Sequence, residues 1–228
     1  MYPFYDATFL LIIPAIIFTL YAQYKVHSTF RKYEKIANER GMTGMDVARK
    51  ILDQEGLNAI PVEKTGGLMG DHYDPIKKVL RLSEKVYSGK SISALGVAAH
   101  EVGHAIQQAR SYHPLIIRTT LYPVVSVSSY LAPILIFLGF IVAGFSQLLL
   151  AGIILFSASV VFTVVTLPVE FDASRRAVAV LETHGFVRGN EIQGVKKVLN
   201  AAALTYVAAA ITAVLELIRL ILIFQRRN

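Results

Sequence analysis

The chain of 228 residues contains no cysteine and no tryptophan, and only 17% of it is Asp, Glu, Lys or Arg. Without thiols there is no disulfide and no Cys-ligated metal site, so any bound transition metal must be held by imidazole and carboxylate. The same absence says little about compartment. Soluble domains usually carry about 25% charged residues. Here the shortfall sits in long apolar runs, within a chain that is 54% hydrophobic, so lipid solvates part of it. The polar remainder suffices for one compact domain. There are no internal repeats or low-complexity tracts.

Acidic residues are the scarcer sign, 16 against 23 Lys and Arg, for a net charge of +7. A basic protein can bind nucleic acid, but the positions point elsewhere. Lys25, Arg31, Lys32, Lys35 and Arg40 directly follow the first apolar run, where the positive-inside rule places basic residues. Membrane lipid, and not nucleic acid, is the partner implied.

Phe4 to Tyr24 is nearly all apolar after Asp6, about enough to cross a ~30 Å hydrocarbon core. No Lys or Arg precedes it and no small-residue cleavage site follows, so it reads as a retained anchor with its amino end outside. The basic cluster is then cytoplasmic. Residues 25–114 are mostly polar and read as a mixed α/β domain. Thr43 and Asp46 form a capping-box pattern and Gly56 is a stop, which predicts a helix over 44–55. Ile60 to Thr65, Met69 to Tyr73 and Val79 to Ser83 are strand candidates, the first ending at Gly66-Gly67 and the last two joined by Asp74-Pro75. A helix over 91–108 follows, capped by Ser91 or Ser93.

Beyond Pro114 the chain turns apolar. Leu121 to Gly144 and Gln147 to Pro168 can each span, joined by a tight turn at Phe145-Ser146. Residues 169–200 return to a polar helical pattern, and Ala201 to Phe224 is apolar but carries Glu216 and Arg219, three apart on one face. The expected organisation is therefore an anchor (1–24), a polar domain (25–114), a transmembrane hairpin (115–168), a polar helical segment (169–200) and a last membrane helix (201–228). Three spans are clear. The last helix is expected to cross as a fourth, although this leaves Arg226 and Arg227 outside, against the charge rule; a re-entrant or interfacial helix would keep them cytoplasmic.

The polar helix carries His100-Glu101-Val102-Gly103-His104, an H-E-x-x-H pattern. Residues four apart share a helix face, so both imidazoles can reach one ion. Zinc suits them, because it accepts neutral imidazole nitrogens and keeps an open position for water whose pKa it lowers. Glu101 is placed to take a proton from that water and later pass it to a leaving amine. Such a pattern also occurs by chance on surfaces, but this helix is apolar around it, and burying two histidines and a glutamate is costly unless they are paired or metallated. A metzincin would continue with Gly at 107 and His at 110; Gln107 and Arg110 exclude that class.

A third ligand must come from elsewhere. His113 would require the helix to end and fold back. A glutamate from a later helix is the usual alternative, and Glu170 is best placed, in Leu167-Pro168-Val169-Glu170-Phe171-Asp172-Ala173-Ser174-Arg175-Arg176-Ala177, where Pro168 allows a change of direction. A carboxylate at that depth needs a cation. Glu182 and Glu191 read as surface residues and Glu216 lies deep in the last apolar segment. Tyr206 and Arg175 are candidates to steady an oxyanion, although Asp172 and Arg176, four apart, equally suggest plain helix pairing. His72 and Tyr73 precede the active helix, while His27 and His184 read as surface residues.

The chain resembles the YugP-like membrane zinc metallopeptidases, the neutral zinc metallopeptidase or zinc peptidase 2 family, nearly end to end. The resemblance rests on the amino-terminal anchor, Asp71-His-Tyr-Asp-Pro leading to Val79-Leu-Arg-Leu-Ser, Ala99-His-Glu-Val-Gly-His-Ala-Ile-Gln, Pro168-Val-Glu-Phe-Asp-Ala-Ser-Arg-Arg-Ala and Leu199-Asn-Ala-Ala-Ala-Leu-Thr-Tyr-Val-Ala. More distantly it is similar to membrane gluzincins of the HtpX and CAAX-protease type. That likeness implies Glu170 as the zinc ligand and Val79, Leu80, Arg81 and Leu82 as a strand that holds the peptide. It breaks where the family's aspartate, four residues after the glutamate, is Ser174.

The expectation is an α-helical membrane protein with three to four transmembrane helices and a small α+β zincin-like catalytic domain. It would sit in a prokaryotic plasma membrane with its active site on the cytoplasmic side, bind one zinc ion and hydrolyse membrane-associated or misfolded protein. The rival expectation is a non-catalytic, zinc-stabilised scaffold or chaperone. An intact Glu101 disfavours it, since a structural site needs no base. A transporter would need paired broken helices, which are lacking.

Overall fold

The computed structural model describes residues 7–66, 70–142 and 146–227. The expected start of the first span at Phe4, Gly67, the start of a strand at Met69, the turn residue Phe145 and the terminal Asn228 lie outside the described residues. A short 3₁₀ turn (Ala7–Leu11) leads into α1 (Ile13–Glu34), followed by α2 (Gly44–Gln54), β1 (Val62–Lys64), β2 (His72–Asp74), β3 (Val79–Leu82), α3 (Glu84–Tyr87), α4 (Ile92–Ala109), α5 (His113–Ile141), α6 (Ser146–Thr183) and α7 (Asn190–Arg227). The fold is mostly helical with one small sheet. Four helical stretches, Thr8–Glu34, His113–Ile141, Ser146–Thr183 and Asn190–Arg226, are long and apolar enough to cross a membrane.

Two compact units are built from alternating pieces of chain. One comprises residues 1–23, 116–168 and 205–228. Its large apolar side chains face outward: Phe137 and Ile154 are about 60% exposed, as expected where hydrocarbon replaces water. Inside it α5 and α6 approach at backbone distance, since a Cβ on Gly139 would stand 2.7 Å from the Leu149 Cα. Glu216 and Arg219 pair at 3.0 Å, with the guanidinium over the Phe9 ring. The pair neutralises two charges at membrane depth.

The other unit comprises residues 24–115 and 169–204. Its core joins Val47, Ile51 and Leu52 of α2, Leu80 and Leu82 of β3, Leu95, Val102 and Ile106 of α4, Ala177 and Leu181 of α6, and Val195 and Leu199 of α7. α2 begins with the expected reciprocal cap between Thr43 and Asp46, and Gly56, with φ +73°, ends it. Ser91 caps α4 by accepting the Ala94 N–H.

Two boundaries differ from expectation. α6 runs unbroken through Pro168 and α7 unbroken from Asn190 past Ala201. Pro168 removes one backbone donor without ending the helix, as membrane helices tolerate where neighbouring hydroxyls bond to the main chain; Thr166 Oγ1 donates to the Phe162 carbonyl at 2.8 Å. Apolar and polar stretches thus share one rod, and a change of composition was not a change of element.

The sheet order is β1-β3-β2, with β1 parallel and β2 antiparallel to β3. This overturns one expectation. Val79–Leu82 is the central strand, its main chain engaged on both sides, and it has no edge to offer a peptide. The edges belong to β1 and β2. Tyr73 and Leu80 face each other with their amides turned apart: Leu80 N–H goes to the Pro61 carbonyl and Tyr73 N–H to Glu101. The outer edge of β2 therefore faces α4.

Candidate metal centre

α4 presents His100 and His104 one turn apart, their rings 4.8 Å between centroids and nearly perpendicular. α6 brings Glu170 to them. Its Oε2 lies 3.2 Å from His100 Nε2 and 3.7 Å from His104 Nε2, with only 3% of the side chain exposed. One ligand atom from each residue lies within 4.8 Å of the others. Ligands about 2.0–2.1 Å from a tetrahedral zinc are about 3.3 Å apart, so the spacing suits a single ion. Two neutral imidazole nitrogens and one carboxylate oxygen are a donor set zinc accepts. The residues fit the metal.

The approach of α4 to α6 depends on Gly103. A Cβ there would stand 2.6 Å from the Ala173 carbonyl oxygen and 3.1 Å from the Ala173 Cα, so only glycine lets the two helices meet at this level. Gly103→Ala is expected to lower stability by about 1–3 kcal/mol, as overpacking does, and to reduce zinc content by moving Glu170 off the imidazoles. Thermal unfolding and metal analysis check it; an unchanged melting curve would show that the helices can part freely.

Glu101, on the same helix, is not one of the three donors. Its Oε2 accepts the Tyr73 N–H at 3.1 Å. Burial pushes its carboxyl up to about 7, despite the opposing influence of His100 and assisted by Glu170 and Asp71. The β2–β3 hairpin is held by Asp71, which accepts from Ser83 N–H, and by Asp74, which accepts from the Ile76 and Lys77 N–H groups. Gln108 fastens it to α4: the Tyr73 hydroxyl donates to Gln108 Oε1, and Gln108 Nε2 donates to the Pro75 carbonyl at 2.9 Å.

None of the remaining candidates is among the three donors. Arg175, with 76% of its side chain exposed, pairs with Asp172, and Arg176 pairs with the same carboxylate. Tyr206 sits on α7 in the first unit. His113 opens α5 and is exposed, and His72 Nδ1 lies 2.9 Å from the Gly70 carbonyl oxygen. Sequence reasoning missed Gln107 and Gln108, taking the first only as the residue that excludes a metzincin. The available signal was position: Gln107 is three residues after His104, on its face of an apolar helix.

Residues 8–225 match the family described as "Putative neutral zinc metallopeptidase". The chain is 52% identical over 214 residues to "Putative membrane protease YugP" of Bacillus subtilis (strain 168), covering 94% of this chain and 95% of that protein. No solved structure matches it. With a match that covers nearly the whole chain, and His100, His104 and Glu170 forming a cluster able to hold a metal ion, this protein belongs to the neutral zinc metallopeptidase family.

Proposed function

We propose that this chain is an integral-membrane zinc endopeptidase of the gluzincin type, with His100, His104 and Glu170 as ligands and Glu101 as catalytic base. The observation that carries the reading is the convergence of three donors, and no fourth among the described residues, beside a buried carboxylate that is not one of them. A structural zinc site would be closed by four protein ligands. When bound, zinc supplies a Lewis acid that acidifies water and polarises a carbonyl oxygen.

The chain's own residues supply the rest. Glu101 takes the proton of the attacking water on one carboxylate oxygen and returns it to the leaving amine nitrogen. The amide of Tyr73 fixes the other oxygen, which sets the direction in which the base faces. The β2 strand, beside Glu101, is the proposed seat of the peptide, which would be held by main-chain groups other than the Tyr73 N–H that Glu101 accepts. A sheet flanking the H-E-x-x-H helix supports a zincin-like domain. Residues 25–112 and 169–189 fall on one side of the membrane whichever way the chain is inserted, because α5 and α6 cross and return. The basic residues after the first span favour the cytoplasmic side of a prokaryotic plasma membrane, with membrane-associated or misfolded protein as substrate.

The test is a purified, detergent-solubilised chain given an unfolded protein substrate. Expected is one zinc per chain and cleavage that stops with a chelator and returns with zinc. A zinc-loaded protein that cleaves no peptide bond would favour the scaffold reading.

A further inference from the structure

Each imidazole of the cluster has a second nitrogen, and the structure accounts for both. His100 Nδ1 lies 3.1 Å from Ser174 Oγ, and His104 Nδ1 lies 3.0 Å from Gln107 Oε1. Gln107 is completely buried. Its Nε2 donates to the Val169 carbonyl at 2.7 Å and to Asp172 Oδ2 at 2.9 Å. Both of those partners can only accept, so the amide nitrogen must face them and the amide oxygen must face His104. An oxygen at that position requires a donor on the ring. His104 thereby carries a proton on Nδ1, which leaves Nε2, 3.7 Å from Glu170 Oε2, as its metal-binding nitrogen.

The chain of contacts continues outward. Asp172 is held by Arg175 and Arg176, and the Arg176 guanidinium lies over the Tyr112 ring at 5.6 Å. A buried network whose every member is satisfied is rigid. Here it begins at the surface of α6 and ends on a ring of α4. Neither histidine is backed by a carboxylate. His100 Nδ1 has a hydroxyl and His104 Nδ1 an amide, through which Asp172 stands one link further out from His104.

We propose that Gln107 and Ser174 are the positioning residues of the metal site. Gln107 carries the Asp172–Arg176 anchor to His104 and selects its tautomer, and the Ser174 hydroxyl, able to donate or accept, holds the ring of His100 through Nδ1. Because both partners are neutral, the imidazoles donate to a metal less strongly than carboxylate-backed ones would. The site then holds its ion less tightly than a carboxylate would allow. This rests on the reading of the cluster as a zinc site.

The experiment measures zinc affinity of the full-length chain in detergent, by competition with a chromophoric chelator, and records the visible spectrum of the cobalt-substituted protein. The variants are Gln107→Met, Ser174→Ala and Ser174→Asp, with His104→Ala as the ligand-loss control. Gln107→Met and Ser174→Ala are each expected to weaken zinc about 10–100-fold, the usual effect of removing a ligand's hydrogen-bond partner, with a changed cobalt spectrum. Ser174→Asp is expected to tighten zinc, which mere disturbance of packing would not do. Melting of the metal-free proteins identifies a variant that fails to fold, and Ser174, partly exposed, provides the second arm. Affinities within twofold of the parent for Gln107→Met and Ser174→Ala, with unchanged spectra, would overturn the proposal while leaving the zinc site intact. A parent chain that binds zinc no better than His104→Ala would instead overturn the zinc reading itself.

Discussion

Glu101→Gln is expected to reduce peptide hydrolysis by about 10²–10⁴-fold, the usual contribution of a positioned general acid–base group, while zinc content stays at the parent level. The two halves of this result have separate physical sources. Zinc is retained because the carboxylate of residue 101 is not among the three clustered donors. The fold is retained because glutamine keeps the shape of the side chain and an oxygen to accept the Tyr73 N–H that ties α4 to the β2 edge. Only the capacity to accept and return a proton is lost. Burial already holds this carboxyl well above the ordinary carboxylate range, and a proton shuttle works best when its affinity lies near the operating pH. Metal analysis and a cleavage assay on the same preparation check both halves. A variant that cleaves at the parent rate would end the role of Glu101, and one that loses its zinc would make Glu101 a ligand or a structural element.

The parts of the fold set by local chemistry were legible in the sequence. The Thr43–Asp46 cap, the Ser91 cap and the stop at Gly56 each depend on a few adjacent residues, and the helices they bound lie where expected. The pairing of His100 with His104 needed only the helical period. What escaped depended on long-range geometry. Strand order cannot be read from Val79–Leu82 itself, because a mostly buried strand has the same pattern whether one neighbour or two lie beside it; the order β1-β3-β2 moves the edges to β1 and β2. The continuity of α6 through Pro168 was obscured because the sequence changes from apolar to polar at the point where the helix does not change. The partners of the imidazoles were hidden for a similar reason. The expected acid stood at position 174, and its replacement by Ser174 suggested a deficit, whereas Gln107 and Asp172 become neighbours only when α4 and α6 meet at Gly103.

Glu170→Gln is expected to weaken zinc by roughly 10²–10³-fold and to lower stability far more with the metal than without it. Structural zinc sites with four ligands bind with about 10–16 kcal/mol, so one ligand accounts for about 3–4 kcal/mol, or that range in affinity. Without metal a smaller loss remains. Glu170 is 3% exposed and its carboxylate lies against two imidazoles, whose hydrogen bonds favour its ionised form. Glutamine keeps the volume but gives up the charge-assisted part of those contacts, so the metal-free variant should melt somewhat below the metal-free parent. Added zinc at about 1,000 times the dissociation constant stabilises the parent by about 4 kcal/mol, a rise on the order of 10 °C for a chain of this size, and should raise the variant far less. The gap between the two melting curves would then widen when zinc is added. If both curves rise equally with zinc, another acid completes the site, and Glu170 is an ordinary buried partner of the histidines.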